Sequence, residues 1–421
     1  QAMVPRLVDT VGCMRGAAHA DAVARAREMA LRFAVVAPPA PAANILGAAP
    51  PVTVEAATFV NGVAARYLDF NDIYLSTEAV HPSDNIPAGL ALAQALARSG
   101  PELLTALIVG YEVHCRLADA VSTRKGRWDN VVLGAIAASA MAGNLLQLNL
   151  DQQAHAINLA AVGNVALMQT RVGELSMWNA ARAGVFAALA AAHGMTAPAQ
   201  ALDGSHGLFA QVTGMPAAGL FELEAGDFHL LDTHLKAYPS QYFTQTAIAA
   251  ALQVRAGIEP ARIRRVAVST FEFGRVAAAD SPDKWHPRTR ETADHSMPYC
   301  VAIALLDGAV TQAKFDADCL ARDDVHTLMQ RIEVHEDAQL TALYPQQVPT
   351  RIALELDDGR RIEAMVAYPP GHSRNPLSDA GVAAKFTDLC GAGEHTAALL
   401  ADLRAIDTCP AAAATALLRR A

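Results

Sequence analysis

The sequence predicts a mainly helical protein carrying an α+β lid: an all-helical domain formed by both chain ends, with an α+β domain inserted between them. Three observations support this. Residues 53 to 200 form a succession of Ala- and Leu-rich amphipathic segments; from about 233 the texture turns β-branched and alternating; from about 372 the helical texture returns. The expected boundaries are a first helical part at 1–232, the α+β domain at 233–371 and a C-terminal helical return at 372–421.

The elements follow in order. Residues 83–99 place Ile86, Leu90, Ala93 and Leu96 on one stripe, so a helix is expected from Ser83 to Ser99, stopping at Gly100. Pro101 opens the next helix, which buries Leu104, Ile108 and Cys115 and sets Glu112 and Arg116 four apart. Further helices are expected at 130–148, 151–169 and 177–193, the last ending at Gly194, and their Ala content implies closely approaching axes. A helix from Ser240 to Ala256 precedes a strand at Ile263–Phe271. Arg351–Leu356 alternates, turns at Asp358-Gly359 and returns as Arg361–Val366, a hairpin. Asp294–Leu306 reads as a helix, and helices at about 378–390 and 395–420 close the chain. Pro38-Pro39-Ala40-Pro41 and Pro50-Pro51 mark a loop.

Composition narrows the function. With 33 basic and 42 acidic residues among 421, the net charge is −9, and 52% of the chain is hydrophobic, the profile of a soluble, core-rich protein. Nucleic acid is excluded as a partner, because phosphate binding needs a basic face and the one dense basic cluster is Arg124-Lys125-Gly126-Arg127. No apolar run reaches the roughly 18 residues of a membrane span, so no membrane partner is expected. The opening Gln1-Ala2-Met3-Val4 runs directly into helix-like sequence and reads as a truncated start. Cysteines at 13, 115, 300, 319, 390 and 409 show no CxxC spacing, which points to a reducing, cytoplasmic setting without disulfides, thiolate metal or iron–sulfur cluster. Neither GxGxxG, a P-loop nor HExxH occurs, and Asp203-Gly204-Ser205-His206-Gly207 lacks the GxSxG spacing of a hydrolase elbow. No cofactor and no metal are expected.

In so apolar a chain, polar residues gathered in turn-rich stretches are the candidates for chemistry. The first stretch runs from Asn61-Gly62 through Arg66 and Leu68-Asp69-Phe70-Asn71-Asp72 to His81-Pro82-Ser83-Asp84-Asn85. It sets two carboxylates, an Arg and a His before a helix start, where backbone N–H groups favour an anion. Equally, Asp69 and Asp72 would cap one helix end and Asp84 the next, with His81 a satisfied turn residue. The Asp69/Asp72 pair lacks the acidic partner motif of a magnesium–diphosphate site. The second stretch, Lys236-Ala237-Tyr238-Pro239-Ser240-Gln241, offers either a Lys reaching an interdomain cleft or, favoured on spacing alone, a solvated Lys before a Ser-capped helix. In the third, Trp285 to Tyr299, Asp294 either orients His295 or caps the following helix, with Arg288 and Arg290 close by in sequence.

These stretches, together with Gly110-Tyr111-Glu112-Val113 and Arg116-Leu117, resemble the MmgE/PrpD family over about residues 10 to 395. The motifs that carry the resemblance are Leu68-Asp69-Phe70-Asn71-Asp72 with His81-Pro82-Ser83-Asp84-Asn85, Lys236-Ala237-Tyr238-Pro239-Ser240, and Arg290-Glu291-Thr292-Ala293-Asp294-His295. The family includes 2-methylcitrate dehydratases, cis-aconitate decarboxylase and iminodisuccinate epimerase. The resemblance implies catalytic roles for Asp69, His81, Lys236 and His295, and substrate contacts from Asn71, Asp72, Ser83, Arg127, Tyr238 and Arg290. It implies a cytoplasmic homodimer of propionate catabolism acting on a small tricarboxylate without a cofactor, the lid closing over the site to exclude water. The long spacer between Asp72 and His81 looks like the dehydratase branch, which implies 2-methylcitrate, and also citrate, as substrate; a sister polycarboxylate enzyme and a degenerate member are the alternatives. Three departures stand out: Ile73 where relatives carry Thr, Gln241 where the decarboxylase branch has His, and Trp178 running directly into Asn179-Ala180-Ala181, where relatives place a short Lys-containing segment. The last departure reads as a missing loop.

Overall fold

Ser99 sets the start of the longest helix among the described residues. Its Oγ accepts from the Glu102 N–H while the Glu102 carboxylate accepts from Ser99 N at 2.8 Å, a reciprocal capping box that starts Gly100–Ala120. Gly100 therefore opens this helix instead of ending the preceding one. The computed structural model describes residues 1–33, 41–47, 50–126, 128–164, 176–214 and 227–420.

The chain forms two units: one of Gln1–Tyr67, Asn71–Thr233 and Ser378–Ala421, the other of Leu68–Phe70 and His234–Leu377. In the first, Val131–Leu146 is almost wholly buried, with Gly100–Ala120, Leu150–Gly163 and Ser176–Ala192 packed around it. Small residues permit this closeness: a Cβ at Gly184 would stand 2.4 Å from the Ala135 carbonyl oxygen, so only glycine fits there. The C-terminal return is anchored on the first helix, Met3–Gly16. Phe386 packs over Gly12, and Lys385 Nζ lies 2.6 Å from the buried Asp9 carboxylate.

The second unit is built on a sheet. A two-residue ribbon in the first unit supplies β1 (Tyr74–Leu75) and β2 (Ala79–Val80). The sheet comprises β3 (Ile263–Thr270), β4 (Ile332–Glu336), β5 (Thr350–Leu356) and β6 (Arg361–Val366), in the order β4-β3-β5-β6, with β3 and β4 parallel and the rest antiparallel. Ile263, Val266 and Val268 of β3 are buried with Ile352 and Leu354 of β5 among the helices Gln245–Val254 and Met297–Asp307. Arg265 bonds Glu333 across the exposed side, the alternation expected of a half-solvated sheet.

The architecture is mainly α with an α+β part, as the periodicity predicts, and the hairpin lies where expected. Several boundaries differ for local reasons. The helix placed at 83–99 is a 3-10 turn, Pro82–Asn85, followed by Ile86–Ala95. The helix placed at 240–256 begins with a 3-10 turn at Tyr242–Thr244 whose cap is Gln241, not Ser240, and continues as Gln245–Val254. The helix placed at 294–306 is two: Arg290–Asp294 capped by Thr289, then Met297–Asp307 capped by Ser296. The last helix divides into Glu394–Arg404 and Ala411–Arg420, separated by a 3-10 turn at Ile406–Thr408, with Pro410, which has no N–H to donate, at the start of the second. Trp178 and Asn179 fall within the helix Ser176–Ala192. The helix expected at 151–169 ends earlier, at Gly163, because Asn164 takes extended backbone (φ −125°, ψ 129°); residues 165–175 lie outside the described residues, as does Arg127. Among the described residues, no helix is long and apolar enough to cross a membrane.

Candidate active site

In the second unit the site centres on a buried ion pair. Lys236 is 1% exposed and places Nζ 2.9 Å from Asp69 Oδ1 and 2.6 Å from the Asp69 main-chain oxygen. Asp69 has φ = +43°, a left-handed conformation that few non-glycine residues adopt; it lets carbonyl and carboxylate meet the same ammonium. Lys236 is fixed from its own side as well. Leu235 N donates to Gly371 O at 2.9 Å, and a Cβ at Gly371 would fall 1.8 Å from Leu235 O. The solvated reading of Lys236 is thus overturned: Ser240 does not cap a following helix, and the ammonium is bonded to a carboxylate that compensates its burial.

The same unit holds an Asp–His pair. Asp294 Oδ1 lies 2.5 Å from His295 Nδ1, with Asp294 buried and His295 about a third exposed. Burial pushes the Asp294 carboxyl above the ordinary range, the neighbouring His295 pulls it back, and the Asp69 charge adds to the rise. Of the two readings of Asp294, the structure selects the one in which it orients His295, because Ser296 caps the next helix. The backbone joins this pair to the Lys236 segment, since Gln241 N donates to Asp294 O at 2.9 Å. Tyr238 is half-buried, its main chain bonded to the Gln245 amide. Arg290 donates to Gln312 O at 3.0 Å and lies over the Phe315 ring.

In the first unit, Asn71 to Asn85 forms a closed polar network. Asp72 Oδ1 accepts from Ser83 N at 3.1 Å and Oδ2 from Tyr111 OH at 2.8 Å, so this buried carboxylate caps the turn that follows His81. Burial raises its pKa, opposed by the bonds from Ser83 and Tyr111. His81 Nδ1 lies 2.6 Å from the Asp72 main-chain oxygen; a carbonyl can only accept, so the proton sits on Nδ1 and, in the neutral ring, the lone pair on Nε2. Asn71 bonds Ser83 Oγ at 2.8 Å, Asp84 at 3.2 Å and Arg66 at 2.6 Å. Asp84 therefore caps no helix; it pairs with Asn71 and, at 3.6 Å, with Arg66.

Of the residues expected to act, Asp69, Lys236 and His295 lie in the second unit and Asn71, Asp72, His81 and Ser83 in the first. The Tyr111 bond to Asp72 escaped sequence reading, although Tyr111 belongs to a motif already singled out. So did Glu78, which is fully buried and accepts from Thr123 N and Oγ1 and from Arg124 Nε at 2.6 Å, fixing the turn Arg124–Gly126 of the basic cluster. A lone Glu among turn residues carries no local signal of such a role. Among the described residues, no group of three or more His, Cys, Asp or Glu could hold a metal ion.

The MmgE/PrpD N-terminal domain matches residues 1–219 and the C-terminal domain residues 238–403. The chain belongs to the MmgE/PrpD family. It is similar to 2-methylcitrate dehydratase of Escherichia coli strain K12, 30% identical over 347 residues that cover 76% of this chain and 71% of that protein. The dehydratase of Cupriavidus necator is also 30% identical with the same coverage, and cis-aconitate decarboxylase of Mus musculus is 28% identical over 352 residues, 78% and 70% of the two chains. This MmgE/PrpD protein is an enzyme resembling the hydro-lyases of the family.

Proposed function

We propose that this enzyme dehydrates 2-methylcitrate to 2-methyl-cis-aconitate without a cofactor, as a step of propionate catabolism. The observation that carries the reading furthest is the buried Lys236–Asp69 pair, a cation held in a low-dielectric setting by residues of two family motifs. The similarity to dehydratases over 347 residues supports an enzyme of this family as the frame of the reading.

The reaction removes a proton beside one carboxylate and a hydroxyl from the neighbouring carbon. The C–H electrons become the new double bond, and the hydroxyl leaves as water once protonated. Charge accumulates on the carboxylate next to the carbanion, so a fixed cation provides the largest stabilisation, and Lys236 supplies it. His81 takes the carbon-bound proton through Nε2, the nitrogen its Asp72 bond leaves with the lone pair. His295, held by Asp294, delivers the proton to the departing hydroxyl. Asn71 and Ser83, whose side chains are bonded to each other, and Tyr238 are proposed substrate contacts. Arg127 and Arg290 are proposed to bind the remaining carboxylates, and Asp72 to align His81. Citrate is a proposed second substrate. We assign the enzyme to the cytoplasm as a homodimer; the exposed Leu150, Val162 and Phe186 in Leu150–Gly163 and Ser176–Ala192 support self-association, which sedimentation equilibrium tests.

Chelator-treated protein incubated with racemic 2-methylcitrate, citrate and cis-aconitate, followed by alkene absorbance and released carbon dioxide, tests the proposal. Alkene from 2-methylcitrate is expected. Carbon dioxide from cis-aconitate without alkene from 2-methylcitrate would transfer the enzyme to decarboxylation, and no reaction with any of the three would overturn the proposal.

A further inference from the structure

The turn that follows His81 backs onto a cavity lined by Asp84, Asn85, His114 and Asn130, with Val131 and Ala180 closing its apolar side. All of these residues lie in the first unit. The cavity admits the centre of about one water molecule, too little for a carboxylate or a larger ligand. His114 is buried, and its Nε2 has no hydrogen-bond partner among the described residues.

The ring's proton can be placed. The Asn85 amide nitrogen donates to Pro82 O at 2.9 Å, which fixes the amide's orientation, and the same nitrogen lies 3.5 Å from His114 Nδ1. An amide nitrogen only donates, so Nδ1 is the acceptor and Nε2 carries the hydrogen. Burial lowers the His114 pKa to about 3, so the ring is neutral at ordinary pH. The side chains around the cavity then offer an N–H donor from His114, a carboxylate acceptor from Asp84, and the amides of Asn85 and Asn130. That is a partner set for one small group that both accepts and donates, and a buried N–H without such a group is costly.

We propose that this cavity is a single-water site, in which the water accepts from His114 Nε2 and donates to the Asp84 carboxylate. His114 is thereby a positioning residue. Asp84 N donates to His81 O at 3.0 Å, and its carboxylate bonds Asn71, so a water joining His114 to Asp84 braces the turn on which His81 stands. No mechanism step touches this water.

Two measurements test it. A crystal structure of the full chain, at a resolution that shows ordered solvent, is expected to place one water within hydrogen-bond distance of both His114 Nε2 and Asp84; a protein group there, or no density, would overturn the site. In kinetics, His114→Gln keeps an amide donor and is expected to hold kcat within about threefold. His114→Phe removes it and is expected to lower kcat by about ten- to a hundredfold with KM little changed. Equal losses in both variants, or a loss that follows their melting temperatures, would mean packing alone and overturn the positioning role. The kinetic arm rests on the dehydratase reading and the crystallographic arm does not. An ordered water in a chain inactive on 2-methylcitrate therefore supports the site while overturning that reading.

Discussion

Lys236 meets both the main-chain oxygen and the carboxylate of Asp69, a residue 167 positions earlier in the chain, and both side chains lie almost wholly out of water. Removing one partner leaves a buried charge alone, at a cost of about 3–5 kcal/mol. Lys236→Met and Asp69→Asn are each expected to lower the urea midpoint, and the double variant to lose less than the sum, a coupling that a double-mutant cycle reads directly. Lys236→Met is also expected to lose about a thousandfold in kcat/KM on 2-methylcitrate. Activity near that of the parent chain would remove Lys236 from the mechanism.

The Asp72 carbonyl leaves the His81 lone pair on Nε2 in the neutral ring. His81→Gln retains a polar side chain but no base, and a fall in kcat of about two to four orders of magnitude is expected, with unchanged circular dichroism. Near-parental kcat would show that another group takes the proton.

Asp294 faces His295 at 2.5 Å. Asp294→Asn keeps the shape but replaces the carboxylate that orients His295 Nδ1. A fall in kcat on 2-methylcitrate of about ten- to a hundredfold is expected, with unchanged circular dichroism. Near-parental kcat would remove the Asp294–His295 bond from the mechanism.

Two histidines are held below their ordinary values: His114 at about 3, by burial, and His372 at about 4, by burial and then by the Arg374 charge. A depressed histidine contributes stability above its unfolded value of about 6.5, lost as pH falls toward the folded value because only the unfolded chain takes up the proton. Buried Asp9, Asp72 and Asp294 are raised, so their contribution runs the other way, present at low pH and lost as pH rises through the folded value. For His114 the acid slope approaches about 1.4 kcal/mol per pH unit between pH 6 and 4. Urea titrations of His114→Gln over that range should show a shallower acid loss than the parent, and parallel curves would contradict the assignment.

Lys385 ties the C-terminal return to the first helix through Asp9 at 2.6 Å. Lys385→Met leaves that carboxylate buried without its cation, and a loss of about 3–5 kcal/mol is expected from denaturant unfolding. A change within about 0.5 kcal/mol would assign the anchoring to Phe386 packing on Gly12 instead.

Local signals were legible where one residue type has one local use. Alternation at 351–366 specified the β5–β6 hairpin, and the Ala-rich stretch 130–148 specified a helix with closely approaching neighbours. They misled where two residues compete for one role. Ser240 and Asp294 are good caps by type, yet Gln241 and Ser296 do the capping, and Gly100 is a helix breaker by type yet sits inside a capping box.

By itself the sequence determined the helical and strand texture, the distributed motifs of the MmgE/PrpD family and the inventory of acids, bases and cations, because periodicity and residue chemistry are properties of short stretches. Only the tertiary structure decided that Lys236 is buried on Asp69, that Asp84 turns to Asn71 and Arg66, and that His114 faces a polar cavity. A charged or polar side chain is stable out of water only opposite a partner, and here those partners come from parts of the chain that only folding brings together.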